Sequence, residues 1–299
     1  MTHAHRWLAA CALVASTLIA APARAATLDG IRAAQEIVLA HRDASVPFSY
    51  LDQNGRPVGY SIDLCLKVVD AVKRELGLPA LAVRWLPVTS ASRIPAMVEG
   101  RAALECGSTT NNAERRRQVA FTIPHFISAV RLLVRADSGY ASLDGLAGKR
   151  VAATAGTTTV PTLKRMDAEH DLRLTVVELG GHAQGFAALE AGRVDAFALD
   201  DVLLYGLRAN AANPKDYAVV GKPMTIEPYA IMLPPQDPAF KKVVDQEMRR
   251  LIASGEIQQL YRRWFQQPIA PKGINLELPM AAMLRDSLRF PSDKVGDLE

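Results

Sequence analysis

The sequence predicts an α/β protein with two lobes, each a mostly parallel sheet flanked by helices, joined by a two-strand hinge. Three observations support this fold. Strand-like and helix-like segments alternate along the chain, which favours parallel sheets covered by helices. The second half repeats the order of elements found in the first. The chain has 299 residues, 49% of them hydrophobic, which is enough material for two lobes with their own cores.

The first half of the chain is predicted to begin with a strand at Glu36–His41. Ser61 is predicted to cap a helix that ends before Gly77, because apolar side chains recur at helical spacing between them and the glycine then stops the helix. The later segments are a strand at residues 81–85, a helix at Ile94–Val98, and strands at Ala102–Cys106 and Val130–Val134. Residues 26–135 are therefore assigned to the first part of lobe 1.

The second half follows the same plan. It is predicted to contain strands at Val151–Thr154, Leu172–Val177 and Val194–Leu199, and helices at Phe186–Glu190 and Asp201–Arg208. Residues 136–230 are assigned to lobe 2. Residues 231–299 are assigned to the completion of lobe 1, with closing helices and a tail. The chain is expected to cross between the lobes near residues 135–139 and 229–236, where turn residues interrupt the strands.

The first 25 residues predict a signal peptide that is removed on export. Arg6 precedes an apolar run that extends to about Ala21, and a small-residue cleavage site ends at Ala25. The run is too short and too rich in alanine to span a bilayer well. A lipoprotein cleavage box at Cys11 is set aside, because almost no apolar segment precedes it. The mature protein is expected to be soluble and exported.

Charge and composition exclude several classes of function. The signal peptide removes two of the 35 basic residues and none of the 31 acidic ones, so the mature net charge is close to +2. That charge is too weak to indicate binding to nucleic acid or to a membrane surface. The remaining histidines show no metal-ligand spacing. No phosphate loop or nucleophile elbow is present, and no cofactor is expected.

Two cysteines, Cys65 and Cys106, remain after the signal peptide. Two cysteines in an exported protein indicate one disulfide. Closing a separation of 41 residues contributes about 3–4 kcal/mol to stability when the bond is unstrained. Two buried free thiols are the alternative.

The stretch from Glu105 to Arg115 is the most informative for function. An apolar segment runs into a glycine, three hydroxyl side chains and two amides, and Arg115 follows five residues after Thr110. Hydroxyls and free backbone amides at a helix start accept a carboxylate, and a guanidinium binds it through two parallel hydrogen bonds. The segment predicts an anion site formed by Ser108, Thr110 and Arg115. An ordinary capped helix with a surface arginine is the alternative.

An internal similarity predicts a second group opposite this loop. Residues 97–106 resemble residues 189–198: in each, a helix ends at Gly-Arg, a strand follows, and polar residues stand at its end. Ligands of open α/β sheets bind beyond such strand ends. The pattern predicts a cleft with Ser108 and Arg115 on one wall and Asp200 on the other. In the alternative, Asp200 caps a helix and Asp201 contacts the ligand.

Residues 41–50, 89–95, 105–115, 156–158, 182, 200–201 and 261–265 carry a similarity that extends over essentially the whole mature chain. In these segments the chain resembles the periplasmic solute-binding proteins of the polar amino acid family, in particular the glutamate/aspartate-binding proteins of ABC importers. The resemblance implies the two-lobed periplasmic binding protein fold (type II) and a periplasmic location. It also implies a monomer that carries L-glutamate or L-aspartate to a membrane permease, without a catalytic step.

The resemblance implies a role for each site residue. Arg115 with Ser108 and Thr110 would hold the α-carboxylate of the ligand, and Asp200 its α-ammonium. The side-chain carboxylate would be held by Arg42, Ser90 and Arg93, and the second lobe would close through Thr157, Thr158 and His182. The charges agree with this independently, because a neutral ligand needs one arginine whereas a second carboxylate requires a further buried pair.

Other classes of function remain open at this point. Exported dehydratases that act on prephenate or arogenate share this fold, and His182 or Glu105 could supply the acid that such chemistry needs. A sensor domain is less expected, because no transmembrane helix or signalling module follows. A binding protein for a neutral amino acid such as glutamine would leave Arg42 or Arg93 buried and unpaired.

Overall fold

The computed structural model of the protein describes residues 27–294. The predicted signal peptide at residues 1–25 lies outside this range. Within it, every helix is too short or too polar to cross a membrane.

The structure contains strands that are mostly short, with the longest reaching six residues. They are β1 (Glu36–His41), β2 (Ala44–Ser45), β3 (Ser49–Leu51), β4 (Pro57–Val58), β5 (Ala82–Pro87), β6 (Leu104–Glu105), β7 (Ala120–Phe121), β8 (Phe126–Ser128), β9 (Val130–Arg135), β10 (Arg150–Thr154), β11 (Thr175–Leu179), β12 (Ala196–Asp200), β13 (Tyr217–Val220), β14 (Glu227–Tyr229) and β15 (Met232–Leu233).

The α-helices alternate with these strands. They are α1 (Thr27–Ala34), α2 (Tyr60–Leu76), α3 (Arg93–Val98), α4 (Ala113–Arg116), α5 (Thr159–His170), α6 (His182–Glu190), α7 (Asp201–Asn210), α8 (Pro238–Ala253), α9 (Glu256–Phe265) and α10 (Ala282–Arg289).

Two five-stranded sheets form the two lobes. The first sheet has the strand order β5-β1-β6-β15-β7, and the second has the order β11-β10-β12-β9-β13. In the first, β1 pairs in parallel with β5 and β6, and in the second β10 pairs in parallel with β11 and β12. Strands β15 and β9 run against their neighbours. The predicted pair of mostly parallel sheets flanked by helices is confirmed.

One strand belongs to a different sheet from the one that the sequence suggested. Val130–Arg135 was assigned to lobe 1, but as β9 it pairs with β12 and β13 in the second sheet. The chain therefore changes sheets before residue 130, upstream of the predicted crossing at 135–139. An apolar run identifies a strand but does not determine its partner, which depends on contacts distant in sequence.

The segments that join the two sheets are paired with each other. Strands β8 and β14, here called the crossing strands, form a two-stranded antiparallel ribbon in which Phe126 faces Tyr229 and Ser128 faces Glu227. An aromatic cluster packs against this ribbon: the ring of Phe48 lies 5.0 Å from that of Phe126 and 5.1 Å from that of Tyr229. Phe265 of α9 stacks on Phe126 at 5.0 Å. This packing fixes the crossing strands to the first lobe.

The start of α2 also differs from the prediction. The residue before the helix is Gly59 rather than Ser61, with φ at 139°, and a Cβ there would lie 2.2 Å from the carbonyl oxygen of Phe48. Glycine is required because any side chain would collide with this backbone. Ser61 lies inside the helix, where its hydroxyl donates to the carbonyl of Gly107 at 2.7 Å. The serine thus supports the polar loop after β6 instead of capping the helix.

Candidate functional site

Eight of the ten predicted ligand-binding residues line one small cavity between the two sheets. They are Ser90, Arg93, Ser108 and Thr110 from the first lobe and Thr157, Thr158, His182 and Asp200 from the second, and Leu203 completes the lining. The other two, Arg42 and Arg115, do not line the cavity but are buried in the first lobe, at 2% and 7% exposure. The structure therefore brings together side chains that lie far apart in sequence.

The first-lobe wall is built around a buried carboxylate. Glu105, at the end of β6, is fully buried, and its Oε2 accepts a hydrogen bond from the hydroxyl of Thr109 at 2.8 Å. The oxygen of that hydroxyl accepts from Nη1 of Arg93 at 2.7 Å. Gly107 leaves room for this arrangement, because a Cβ there would lie 2.2 Å from Glu105 Oε1 and 3.2 Å from Cγ of Arg42. Glu105 is thus the buried counter-charge of the arginines.

Arg42 and Arg93 keep part of their hydrogen-bonding capacity free. Nε and Nη1 of Arg42 and Nε of Arg93 have no hydrogen-bond partner within residues 27–294. Burial lowers the pKa of Arg42 to about 10, and the positive charge of Arg93 adds to the effect, while Glu105 opposes it. Two buried guanidinium groups that repel each other and have free donors favour an anion between or beside them.

Arg115 is positioned by the cap of the short helix α4. The side chain of Asn112 accepts from the backbone amide of Arg115 at 2.9 Å, and the guanidinium then turns inward, where Nη1 donates to the carbonyl of Thr110 at 3.0 Å. Nη2 reaches the carbonyl of Gly156 in the second lobe at 3.5 Å. Burial lowers the pKa of Arg115 to about 10, and the charge of Arg93 adds to this.

The second-lobe wall presents Asp200, which stands at the end of β12 and directly before α7. Its Oδ2 accepts from the hydroxyl of Tyr229 at 2.5 Å, and its Oδ1 has no partner in the described part of the chain. Burial, followed by the charge of Glu227, raises the pKa of Asp200 to about 8. Asp201 instead accepts from the hydroxyl of Ser128 at 2.7 Å. Of the two aspartates, Asp200 is the one that lines the cavity.

His182 and Thr157 form hydrogen bonds to the strand end beside them. Nδ1 of His182 shares a hydrogen bond with the hydroxyl of Thr154 at 2.9 Å. Burial, then the charges of Arg42 and Arg93, lower the pKa of His182 well below its usual value, so the ring is neutral. The hydroxyl of Thr157 donates to the carbonyl of Thr154 at 2.7 Å, so its hydrogen is used within the turn that contains it.

One cleft residue is absent from the sequence-based predictions. Glu227 on β14 is 3% exposed, and its Oε2 accepts from the hydroxyls of both Thr110, at 2.5 Å, and Thr158, at 2.9 Å. The signal available in the sequence was a carboxylate two residues before Tyr229, within the apolar return segment. That signal could not show that the segment passes behind both walls of the cleft.

The two walls touch at two glycines of the second lobe. Gly156 has φ at +75°, and a Cβ there would lie 2.7 Å from the Cα of Ala91 across the cleft. Gly206, in α7, lies against the first lobe, where a Cβ would be 2.7 Å from the carbonyl oxygen of Val46. At these two positions the backbones of the two lobes lie so close together that only glycine fits.

The predicted disulfide between Cys65 and Cys106 is confirmed, with its Cα atoms 6.1 Å apart. It joins α2 to the residue that directly follows β6, one position before Gly107. The loop that carries Ser108 and Thr110 is thus fastened to α2 both by the disulfide and by the hydroxyl of Ser61. Within residues 27–294, no group of three or more His, Cys, Asp or Glu side chains is arranged to hold a metal ion.

The sequence profile of the bacterial extracellular solute-binding proteins, family 3, matches residues 37–267. The chain belongs to this family. It is 46% identical over 289 residues to an L-glutamate/L-aspartate-binding protein of Pseudomonas aeruginosa, covering 95% of this chain and 96% of the relative. It is 40% identical over 275 residues to a glutamate/aspartate import solute-binding protein of Escherichia coli, covering 92% and 91%.

Solved structures show the same fold. A mutant of ArgBP from T. maritima superposes with a TM-score of 0.71 at 26% identity, covering 80% of this chain and 99% of that one. An ancestral amino acid-binding protein described as a precursor of cyclohexadienyl dehydratase has a TM-score of 0.66 at 26% identity, covering 80% and 99%. The two sheets and crossing strands thus form the type II periplasmic binding protein fold.

Proposed function

We propose that this protein is the substrate-binding component of an amino acid ABC importer and that it binds L-glutamate or L-aspartate between its two lobes. One observation carries the proposal: Arg93 and a buried carboxylate with a free oxygen line one cavity, and two further buried arginines, Arg42 and Arg115, lie in the same lobe as Arg93. An acidic amino acid has two carboxylates and one ammonium, and in a dry cleft each must find an opposite charge and hydrogen bonds.

The free groups of the cleft can be allocated to this ligand. Arg42 and Arg93, with the unpartnered hydroxyl of Ser90, bind the side-chain carboxylate. Arg115 and the unpartnered hydroxyl of Ser108 bind the α-carboxylate, and Asp200 takes the ammonium through Oδ1. Support comes from the burial of all these groups and from the unpartnered atoms of Arg42, Arg93, Ser90, Ser108 and Asp200, since a polar group costs free energy when it is buried without a partner.

The ligand is bound by closure of the lobes. It docks first on the lobe that holds the arginines, and the second lobe then swings about the crossing strands β8 and β14 until Gly156 reaches Ala91. Hinge closure about a few connecting residues is a known mode of motion in periplasmic binding proteins. Closure removes water, so each hydrogen bond to the ligand acts in a lower dielectric. The closed protein, a monomer in the periplasm, then docks on a membrane permease.

Catalysis is the second candidate, favoured by the structural likeness to a precursor of cyclohexadienyl dehydratase. A dehydratase needs an acid with an available proton in the cleft. His182 is unsuited, because burial and two arginines hold its ring neutral, and Nδ1 is bonded to Thr154. Glu105 is unsuited as well, because it lies behind Thr109 as the partner of the arginines and does not line the cavity. These two observations remove the two acids that the sequence suggested. Asp200, which lines the cavity with its pKa raised to about 8, is the acid that remains, and assays of prephenate and arogenate turnover test it.

The decisive test is titration calorimetry on the mature protein, after unfolding and refolding to remove any ligand carried through purification. L-Glutamate, L-aspartate and L-glutamine are added separately. Tight one-to-one binding of the two acids, with glutamine far weaker, is the expected result. Tight binding of glutamine would overturn the roles of Arg42 and Arg93. Absence of binding by all three would overturn the proposal, and turnover of prephenate or arogenate would then identify an enzyme.

A further inference from the structure

Glu227 connects the two walls of the cleft from behind. It lies on the crossing strand β14, and its single oxygen Oε2 accepts hydrogen bonds from Thr110 and Thr158. Thr110 belongs to the first-lobe loop after β6, whereas Thr158 directly precedes α5 of the second lobe. Both threonines line the cavity, while Glu227 does not. The carboxylate therefore acts on the cavity through these two hydroxyls.

These hydrogen bonds fix which way the hydroxyls face. A threonine hydroxyl has one hydrogen to donate and two lone pairs to accept with. A carboxylate can only accept. Both hydroxyl hydrogens are therefore directed at Glu227, and the two oxygens keep only acceptor capacity toward the cavity. Such oxygens suit an ammonium group, which only donates, and do not suit a carboxylate.

Strand β14 also orients a third acceptor, the carboxylate of Asp200. Tyr229 follows Glu227 by two residues, so both side chains leave β14 on the same face. The Tyr229 hydroxyl donates to Oδ2 of Asp200 at 2.5 Å, and this orients the carboxylate with Oδ1 free. An ammonium has three N–H donors. Asp200 Oδ1 and the oxygens of Thr110 and Thr158 supply three acceptors for them.

We propose that Glu227 is a positioning residue of the ammonium subsite, which it builds by turning Thr110 and Thr158 into acceptors and by adding a negative charge behind them. This inference rests on the proposed function. It reassigns the hydroxyl of Thr110, which the family resemblance placed with the α-carboxylate, to the ammonium. It also makes recognition of the ammonium dependent on closure, because Thr158 arrives with the second lobe.

The test compares two ligands that differ only in the ammonium. Glutarate has the two carboxylates of L-glutamate and lacks the amino group. Glu227→Gln keeps the shape of the side chain, removes its charge and allows it to donate as well as accept. This variant should weaken L-glutamate binding by about 10- to 100-fold, the range for hydrogen bonds to charged groups. Its affinity for glutarate should stay within about threefold of wild type. Glu99→Gln, at an exposed glutamate, is the matched control.

A double-mutant cycle with Thr158→Val separates positioning from general support of the fold. Thr158→Val should weaken L-glutamate binding in the wild-type background and have a smaller effect in the Glu227→Gln background, because the two side chains act as one unit. Thr158→Ser, which retains the hydroxyl, should bind like wild type. The cycle also decides the matter if wild type binds glutarate too weakly to titrate. If Glu227→Gln does not fold, Thr158→Val and Thr158→Ser are compared in the wild-type background, where equal L-glutamate binding by the two would overturn the inference.

Failure of this inference is distinguishable from failure of the proposed function. A wild-type protein that does not bind L-glutamate removes the proposed function, and the inference with it. A wild-type protein that binds L-glutamate, together with a Glu227→Gln variant of unchanged affinity, overturns the inference alone. Equal weakening of L-glutamate and glutarate, or additive effects in the cycle, would assign Glu227 a purely structural role.

Discussion

The two walls of the cleft differ in how they are built. The first-lobe wall carries all three arginines of the predicted site, and hydrogen bonds through Thr109 connect Arg93 to the buried Glu105. The second-lobe wall presents small polar groups at the starts of three helices: Thr158 before α5, His182 at the start of α6 and Asp200 before α7. One wall is a prebuilt charged surface, and the other offers hydroxyls, a neutral ring and one carboxylate.

The difference indicates that the two walls have different roles in binding. Buried guanidinium groups need fixed partners, so the wall that holds them must be rigid before the ligand arrives. The disulfide at Cys106 and the hydroxyl of Ser61 supply that rigidity. Groups at helix starts are already placed by the helix backbone, so the second wall can move as a unit. Under the proposed function, the first wall would select the charge of the ligand, and the second would complete and close the site.

The largest effect is expected from removing charge on the first wall. Arg93→Ala should lower the affinity for L-glutamate by about a hundredfold or more, as truncation of one partner in a buried charge pair does. The free energy of unfolding should change less than the free energy of binding, because removing this buried cation also removes its repulsion with Arg42, which offsets the lost hydrogen bond to Thr109. Calorimetry and denaturant unfolding measure the two quantities. Arg101→Ala, at an exposed ion pair, serves as control. Unchanged affinity would remove Arg93 from the site.

The rigidity of the first wall depends on the disulfide. Replacing both Cys65 and Cys106 by serine should lower the free energy of unfolding by about 3–4 kcal/mol, because the open chain regains the entropy of a closed loop. Unfolding of the wild-type protein with a reductant should shift to the same extent. If the reductant leaves the unfolding midpoint in place, the bond does not stabilise this wall.

The approach of the second wall depends on Gly156. Gly156→Ala should weaken L-glutamate binding by about tenfold, because the added Cβ would meet the backbone of Ala91 on closure. Gly148→Ala is the matched control: Gly148 has a similar φ of +71°, but no atom lies within 4 Å of its Cβ position. Both variants should lose about 1 kcal/mol of stability from the positive φ. Equal binding by the two variants would mean that this contact does not limit closure.

The smallest effect concerns the acid on the second wall. Burial raises the pKa of Asp200 from 3.8 to about 8, so the folded protein holds this proton more tightly than the unfolded chain does. Stability without ligand should therefore fall as pH rises between these values. Asp200→Asn should remove this part of the pH dependence, a difference of about 1–2 kcal/mol between pH 5 and pH 8, since opening lets water reach the carboxylate. Parallel pH profiles for the two proteins would contradict the assigned environment of Asp200.

The sequence predicted the parts of the molecule that depend on local pattern. Glu36–His41 forms a strand with the predicted bounds because a strand buried in a parallel sheet is a continuous apolar run. The loop with Ser108 and Thr110 was identifiable because its hydroxyls and amides follow such a run directly. The lining of one cavity by eight predicted residues followed from family resemblance and from strand ends that meet at one edge of a sheet.

Features that depend on pairing between distant segments were not predictable in this way. The membership of Val130–Arg135 in the second sheet depends on its pairing with β12, about 65 residues later along the chain. The part played by Glu227 depends on where β14 passes relative to both walls. Ser61 looked like a helix cap, because serine favours that position, but the tight turn against Phe48 requires glycine one step earlier, at Gly59.

The balance of buried charge has a consequence for the kinetics of capture. Among the described residues around the cleft, the guanidinium groups of Arg42, Arg93 and Arg115 stand against the carboxyl groups of Glu105 and Glu227. His182 is neutral, and the raised pKa of Asp200 leaves that group largely protonated before the ligand binds. A cleft with nearly equal numbers of positive and negative groups projects little field beyond a Debye length of about 8–10 Å. The charged groups of the cleft then attract an acidic ligand only at short range, once it is in contact with them, and do not steer it from a distance. Its association rate should consequently depend only weakly on ionic strength.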